Sequence, residues 1–220
     1  MVCDHFGITP NPARDPRVKL PLEEREEVEP PIADHVEAVA WLLPIDYMIG
    51  VLVLDATGCR IGELAAAKVG DLDEGRKRWL VRSKTSKTKR ARWVELPDDL
   101  YAVVVDRLPA REDRDLEVAL FPIGSTDRLR MAIDRACRNA GVPDWSPHHL
   151  RHRRISLLHR EGVTWAEIGA SVGQRNLSVT ADLYTHVLLD PREVDRAKLL
   201  ERARTVHTSE AITATLAGTF

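Results

Sequence analysis

From Ile32 onward, apolar residues recur at helical spacing in one block after another, separated by short polar, proline or glycine breaks. The pattern predicts a helix over Ile32 to Leu43, a second and strongly apolar helix over Pro44 to Ala56, and a third over Gly58 to Val69, with Ile61, Leu64, Ala65 and Lys68 on one side. Residues 78–82 and 91–96 instead alternate roughly between apolar and polar around a Ser/Thr/Lys turn, which predicts a β-hairpin. Leu100 to Leu108 and Thr126 to Ala140 return to the helical period. Ser146 and Pro147 carry the chemistry of an N-cap and first helical position, and Gly162 a stop. Thr164-Trp165-Ala166-Glu167 is a capping box for a short helix that Gly173 closes. A further helix is expected over about 179–188 with Val179, Leu183 and Val187 as its buried stripe, and Tyr184 one residue off it. Pro191 to Val206 then reads as a charged helix before a small-residue tail. Residues 1–31 hold Asn11-Pro12, Asp15-Pro16 and Pro30-Pro31 without a sustained apolar period, and read as a linker or tail.

Composition narrows the setting. A chain of 220 residues with 44% hydrophobic content can bury a substantial core as one domain, or one domain plus an appendage. Cys3, Cys59 and Cys137 are odd in number and far apart, which fits neither a disulfide framework nor a paired-cysteine metal knuckle, and a reducing compartment is expected. The longest apolar run, Met48 to Leu54, is far too short to cross a bilayer, and the N-terminus has no signal-peptide pattern, so the expectation is a soluble cytoplasmic protein without a membrane partner. Net charge is -2, but it is unevenly spread: residues 76–92 carry many cations and no acid, whereas Leu22 to Glu29 is acidic. The cationic stretch fits either a solvated hairpin or a phosphate-binding surface.

His148 and Arg151 are three apart, so a helix would turn both to one side, where an anion accepts hydrogen bonds from each. Arginine suits that task because its planar fork binds two phosphate oxygens and keeps its charge. His148, His149 and His152 include an i, i+4 pair of the sort that binds zinc. The glutamate of a His-Glu-x-x-His pattern is missing, however, and no further ligand cluster stands out, so no metal is expected. Arg60 follows Thr57-Gly58 among residues that should be buried, and a cation there needs a partner, for which Glu63 is at hand.

Taken in order, these segments resemble the tyrosine recombinase (phage integrase) family over about residues 32–190. Thr57-Gly58-Cys59-Arg60-Ile61-Gly62-Glu63-Leu64 is similar to the family's first-arginine segment and His148-His149-Leu150-Arg151-His152 to its His-x-Leu-Arg-His box. Val172-Gly173-Gln174 and Leu183-Tyr184-Thr185-His186-Val187 resemble its Leu-Gly-His and nucleophile segments. The basic hairpin resembles the family's lysine-bearing one, and counting back from Trp93-Val94-Glu95-Leu96-Pro97 favours Lys87 over Lys84. The resemblance implies a mainly helical α+β catalytic domain with a small antiparallel sheet packed on a helical core, preceded by a linker over 1–31. It implies a 191–220 segment passed between subunits of a homo-oligomer, a tetramer on double-stranded DNA. Its implied catalytic set is Arg60, Lys87, His148, Arg151, Gln174 and Tyr184, acting without a cofactor.

Two departures accompany the resemblance. Gln174 stands where the family usually has histidine or sometimes tryptophan, and an amide donates one hydrogen bond without carrying charge. The helical core-binding domain expected ahead of the linker is not in these 220 residues, so a fragment or truncated member is expected. A non-catalytic DNA-binding remnant is therefore the alternative, with a type IB topoisomerase sharing the same chemistry and a zinc hydrolase built on His148 and His152 as further readings.

Overall fold

The first two helices differ in how much of their surface is apolar, and that difference sets which lies outside and which at the centre. The structure is a computed structural model that describes residues 29–84, 90–174 and 190–205. Helix α1 (Ala33–Leu42) buries only Ala33, Val36, Val39 and Ala40, the stripe of a surface helix. Helix α2 (Ile45–Thr57) is buried at every position from Met48 to Thr57 and so becomes the central rod, packed by α1 and by two later helices, α4 (Asp98–Asp106) and α6 (Pro147–Arg160). It ends at Gly58, whose φ of +62° continues the chain in the left-handed region, with a Cβ there only 3.1 Å from Val172.

The expected third helix is cut short. Helix α3 spans only Ile61–Ala65. Beyond it, the Val69 and Gly70 N–H groups donate to the carbonyls of Val118 and Leu116, and Leu120 N–H donates to Ala67. These tertiary partners replace the i→i−4 ladder that the apolar spacing implied, and Val69–Asp71 closes as a 3-10 turn.

The three-stranded antiparallel sheet runs in the order β1 (Leu72–Asp73), β2 (Arg78–Val81), β3 (Arg92–Glu95). Its register pairs Trp79 with Val94 and Val81 with Arg92. Trp79, Val81 and Val94 face the core, where Trp79 meets Phe121 edge to face at 5.4 Å. Strand β1 lies outside the expected hairpin, its two residues being too short for alternation to show.

Helix α5 (Thr126–Ala140) lies against α1 and buries Leu129, Ile133, Ala136 and Cys137. Helix α6 begins at the expected Pro147, and α7 (Trp165–Val172) is capped by Thr164 as the capping box implied. Ser146 is the N-cap of α6 as expected, and its N–H donates to Nδ1 of His149 at 3.0 Å. The resulting molecule is α+β, mainly α, with a small antiparallel sheet packed on a helical core.

Residues 190–205 belong to the same core. The expected helix over Pro191 to Val206 starts late, with residues 197–205 helical (α8), and Val194, Leu199, Leu200 and Ala203 are buried in the main hydrophobic cluster. Arg202 donates to the carbonyls of Trp41 and Leu43, and Arg196 pairs with Asp99 at 2.8 Å. The helix expected over 179–188 and the apolar tail from Ala211 lie outside the described residues. No helix among the described residues is long and apolar enough to cross a membrane.

Candidate functional site

The turn from α2 into α3 and the start of α6 line one cleft of about 470 Å³, and the end of α7 is tied to it through carbonyls that accept from Arg60 and Arg151. Arg60, Glu63, Arg130, His148 and Arg151 line it. Helices α2 and α7 both finish here on a left-handed glycine, so both present unsatisfied carbonyls, the negative end of the helix dipole, toward the arginines.

Arg151 is the deeper of the two arginines, 2% exposed. Its Nη1 donates to the Gly58 carbonyl at 2.8 Å and the Val172 carbonyl at 2.6 Å, and its Nη2 donates to Oε1 of Gln174 at 3.2 Å. Burial, with Arg60 as a like charge nearby, pulls its pKa down to about 10, which still leaves it charged at neutral pH. Arg60 is the N-cap of α3. Its Nη1 and Nη2 both donate to the Gly173 carbonyl at 3.2 Å, and Nη1 also donates to Glu63 at 3.1 Å. The Arg60–Glu63 ion pair anticipated from the sequence is therefore present, as one of two anchors. Nε and one Nη2 hydrogen of each arginine have no acceptor among the described residues, and those are the donors an anion in the cleft would meet.

Glu63 is nearly buried between two cations. Burial pushes its carboxyl up, but the Arg92 fork, at 2.9 and 2.7 Å, and the Arg60 backbone N–H outweigh that, leaving it below the usual carboxylate range. Arg92 also donates from Nε to the Ser171 carbonyl. In the sequence Arg92 shows only as charge in the basic stretch, and its pairing with a carboxylate 29 positions away has no local signature. Arg130 gives no signal there either, as an exposed position of a strongly amphipathic helix.

His148 is exposed at the cleft and meets His152 edge to face at 4.5 Å. Burial, then the neighbouring His148, His149 and Arg151, pull His152 down to about 4, so it is neutral at physiological pH. Cys59 also borders the cleft, but burial pushes its thiol up to about 11, which disqualifies it as a thiolate nucleophile. No group of three or more His, Cys, Asp or Glu among the described residues could hold a metal ion. Arg60, His148, Arg151 and Gln174 are thus brought together. Lys87 and Tyr184 lie outside the described residues, and the alternative Lys84 is exposed in the turn that follows β2.

Fold and cleft together define a mainly helical α+β domain with two arginines, Arg60 and Arg151, side by side at one cleft. The model of the Phage integrase family matches residues 29–190, and the chain belongs to that family. Among curated relatives, tyrosine recombinase XerC of Corynebacterium glutamicum is 26% identical over 163 residues, covering 70% of this chain and 52% of that protein. XerC of Mycobacterium bovis is 31% identical over 145 residues, covering 62% and 48%. The chain spans about half the length of these relatives. Of solved structures, the XerA recombinase superposes with a TM-score of 0.59 at 22% identity, covering 86% of this chain and 66% of that one. The Tn1549 transposon integrase in complex with circular intermediate DNA gives 0.56 at 17% identity, covering 78% and 65%. At such identities the likeness is one of fold.

Proposed function

We propose that this chain carries the catalytic domain of a site-specific DNA recombinase, acting on double-stranded DNA through a covalent phosphotyrosyl intermediate. The single observation that carries the proposal is the pairing of Arg60 and Arg151 in one cleft, each fixed by helix-end carbonyls with N–H groups to spare. Family membership and relatives named as tyrosine recombinases support it, as does a structural neighbour bound to DNA.

In this reading the Tyr184 oxygen attacks the scissile phosphorus and expels the 5′ oxygen, leaving a 3′-phosphotyrosyl bond that stores the energy for rejoining, so no ATP is consumed. Arg60 and Arg151 stabilise the extra charge of the transition state, each by about 3 kcal/mol on the scale of other preorganised donors. His148, exposed at the cleft, positions the phosphate or accepts the tyrosine proton, and Lys87 protonates the leaving 5′ oxygen. Gln174 holds Arg151 through its amide oxygen, which leaves its NH2 group to donate to the phosphate. Residues 32–190 form the catalytic unit and 1–31 the linker; because Val194, Leu199, Leu200 and Ala203 pack into that unit's own core, the part of 191–220 through which protomers of a tetramer engage is the stretch after residue 205.

The test is incubation with a suicide duplex carrying the target site. A protein–DNA adduct that disappears in Tyr184→Phe supports the proposal. Gln174, an uncharged group at a position where charge would help, favours the second reading, a DNA-binding remnant. Site-specific binding with no adduct would leave that reading standing.

A further inference from the structure

Arg92 opens β3, yet its side chain turns inward and is only 12% exposed. Its hydrogen bonds reach two other elements. Nη1 and Nη2 take the two oxygens of Glu63 in α3, and Nε takes the Ser171 carbonyl in α7. Its guanidinium also lies against the backbone of Gly173, so close that a Cβ there would come within 2.8 Å of Cζ. Every side-chain hydrogen bond of Arg60 among the described residues ends on Glu63, which Arg92 also grips, or on the carbonyl of Gly173, the residue whose Cα the Arg92 guanidinium packs beside.

From this we infer that Arg92 is a positioning residue for the cleavage reaction, setting the angle of Arg60 through Glu63 and through the end of α7. The inference rests on the recombinase reading for its functional consequence. Arg92 is also the first residue of the strand that returns from the basic hairpin, so the same side chain links the hairpin's base to Arg60 and to the segment that carries Gln174. Simple neutralisation of a buried carboxylate would not require this arrangement, since Arg60 already supplies a cation to Glu63. What Arg92 adds is a planar fork that fixes both carboxylate oxygens at once, which a single ammonium cannot reproduce.

Arg92→Lys separates the two roles, because it keeps the charge and removes the fork. In the full 220-residue chain, three readouts are compared with the parent: melting temperature, single-turnover cleavage of a suicide duplex, and the NMR Nε–Hε resonances of Arg60 and Arg151. The expected result is a melting temperature close to the parent's, cleavage slowed by about 100-fold, the penalty for a misplaced catalytic group, and a displaced or broadened Arg60 resonance beside an unmoved Arg151. Parental cleavage with the Arg60 resonance in place overturns the inference. If the parent forms no adduct, the recombinase reading falls while the Arg60 resonance still decides the positioning role: unmoved in Arg92→Lys, it overturns that role too. If Arg92→Lys unfolds, Glu63→Asp withdraws the shared carboxylate by one methylene and takes its place in the same three measurements. Slowed cleavage with a displaced Arg60 resonance then supports the inference, and parental behaviour in both overturns it.

Discussion

Arg60 and Gly173 meet across 113 positions of sequence, the arginine donating both terminal nitrogens to the glycine carbonyl. Gly173 is constrained twice at this contact. Its φ of +71° lies in the left-handed region, and the space a Cβ would take is already filled by the Arg92 guanidinium. Gly173→Ala should therefore lose about 1–2 kcal/mol to backbone conformation, with the clash added. For a chain of this size that is a fall in melting temperature of roughly 2–4 °C per kcal/mol. Cleavage should drop further than stability does, because the carbonyl that aims Arg60 moves with the strained turn. An unchanged melting temperature would show that the turn relaxes without cost.

The two arginines should differ in what they do for stability. Arg151→Ala strips the donor from the Gly58 and Val172 carbonyls at a buried site, and each abandoned acceptor costs about 1–3 kcal/mol. Arg60 is more exposed, and Glu63 keeps Arg92 when Arg60 is gone. Denaturant titration should find Arg151→Ala clearly less stable than Arg60→Ala, while both slow adduct formation by roughly 100-fold. Equal destabilisation would contradict the anchoring geometry.

Acid should weaken the fold through His152. Its folded pKa of about 4 lies below the ordinary 6.5, so between those values the unfolded chain binds more protons than the folded one. Stability contributed by this residue is thus complete above about pH 6.5 and is lost as pH falls toward 4. Urea midpoints measured across that window should slope less steeply in His152→Gln than in the parent. Parallel curves would mean that the ring finds solvent in the folded state.

Much of this architecture is legible in local sequence, because helix ends are written in short-range chemistry. Thr164 with Glu167 caps α7, Pro147 starts α6, and Gly173 ends α7 in the left-handed region, whereas Gly58, read as a helix start, instead ends α2 there. The failures fall where distant backbone decides. The stretch after Ala65 has helical spacing, yet Val69 and Gly70 donate their N–H groups to Val118 and Leu116 instead, and two-residue β1 exists only through its pairing with β2. At the site, Arg60 and Arg151 are found by their segments and Glu63 by its i, i+3 spacing. Arg92 is not, because the identity of its partner depends on how the sheet docks against α3 and α7. The family resemblance supplies order and spacing, which periodicity alone cannot turn into a site.

Arg130 offers a measurable link between the cleft and a polyanion. It lines the cleft from α5 with its side chain 54% exposed, and its only ion pair among the described residues is with exposed Asp127. Such a pair contributes little to stability. Arg130→Ala should melt like the parent but bind DNA less tightly, and the slope of log affinity against log salt should shrink by about 0.9, the value for one lost phosphate contact. An unchanged slope would place the duplex away from α5.

Gln174 stands where the sequence resemblance calls for histidine or tryptophan, and its geometry makes that difference testable. The amide oxygen accepts from Arg151 at 3.2 Å, so any replacement must still offer an acceptor there or release that arginine. A neutral histidine can do both tasks at once, one ring nitrogen accepting from Arg151 while the other donates to the phosphate, whereas a protonated ring gains charge but has no acceptor left for Arg151. The amide already donates to a charged phosphate, so only a protonated ring adds charge, and Gln174→His should speed cleavage by up to about tenfold at pH values low enough to protonate it. Gln174→Leu removes the acceptor and the donor together and should slow cleavage while loosening Arg151. The rates are read as adduct formation on the suicide duplex. A histidine variant slower than the parent would mean that the amide is tuned to this cleft, and that its hold on Arg151 matters more than the charge it lacks.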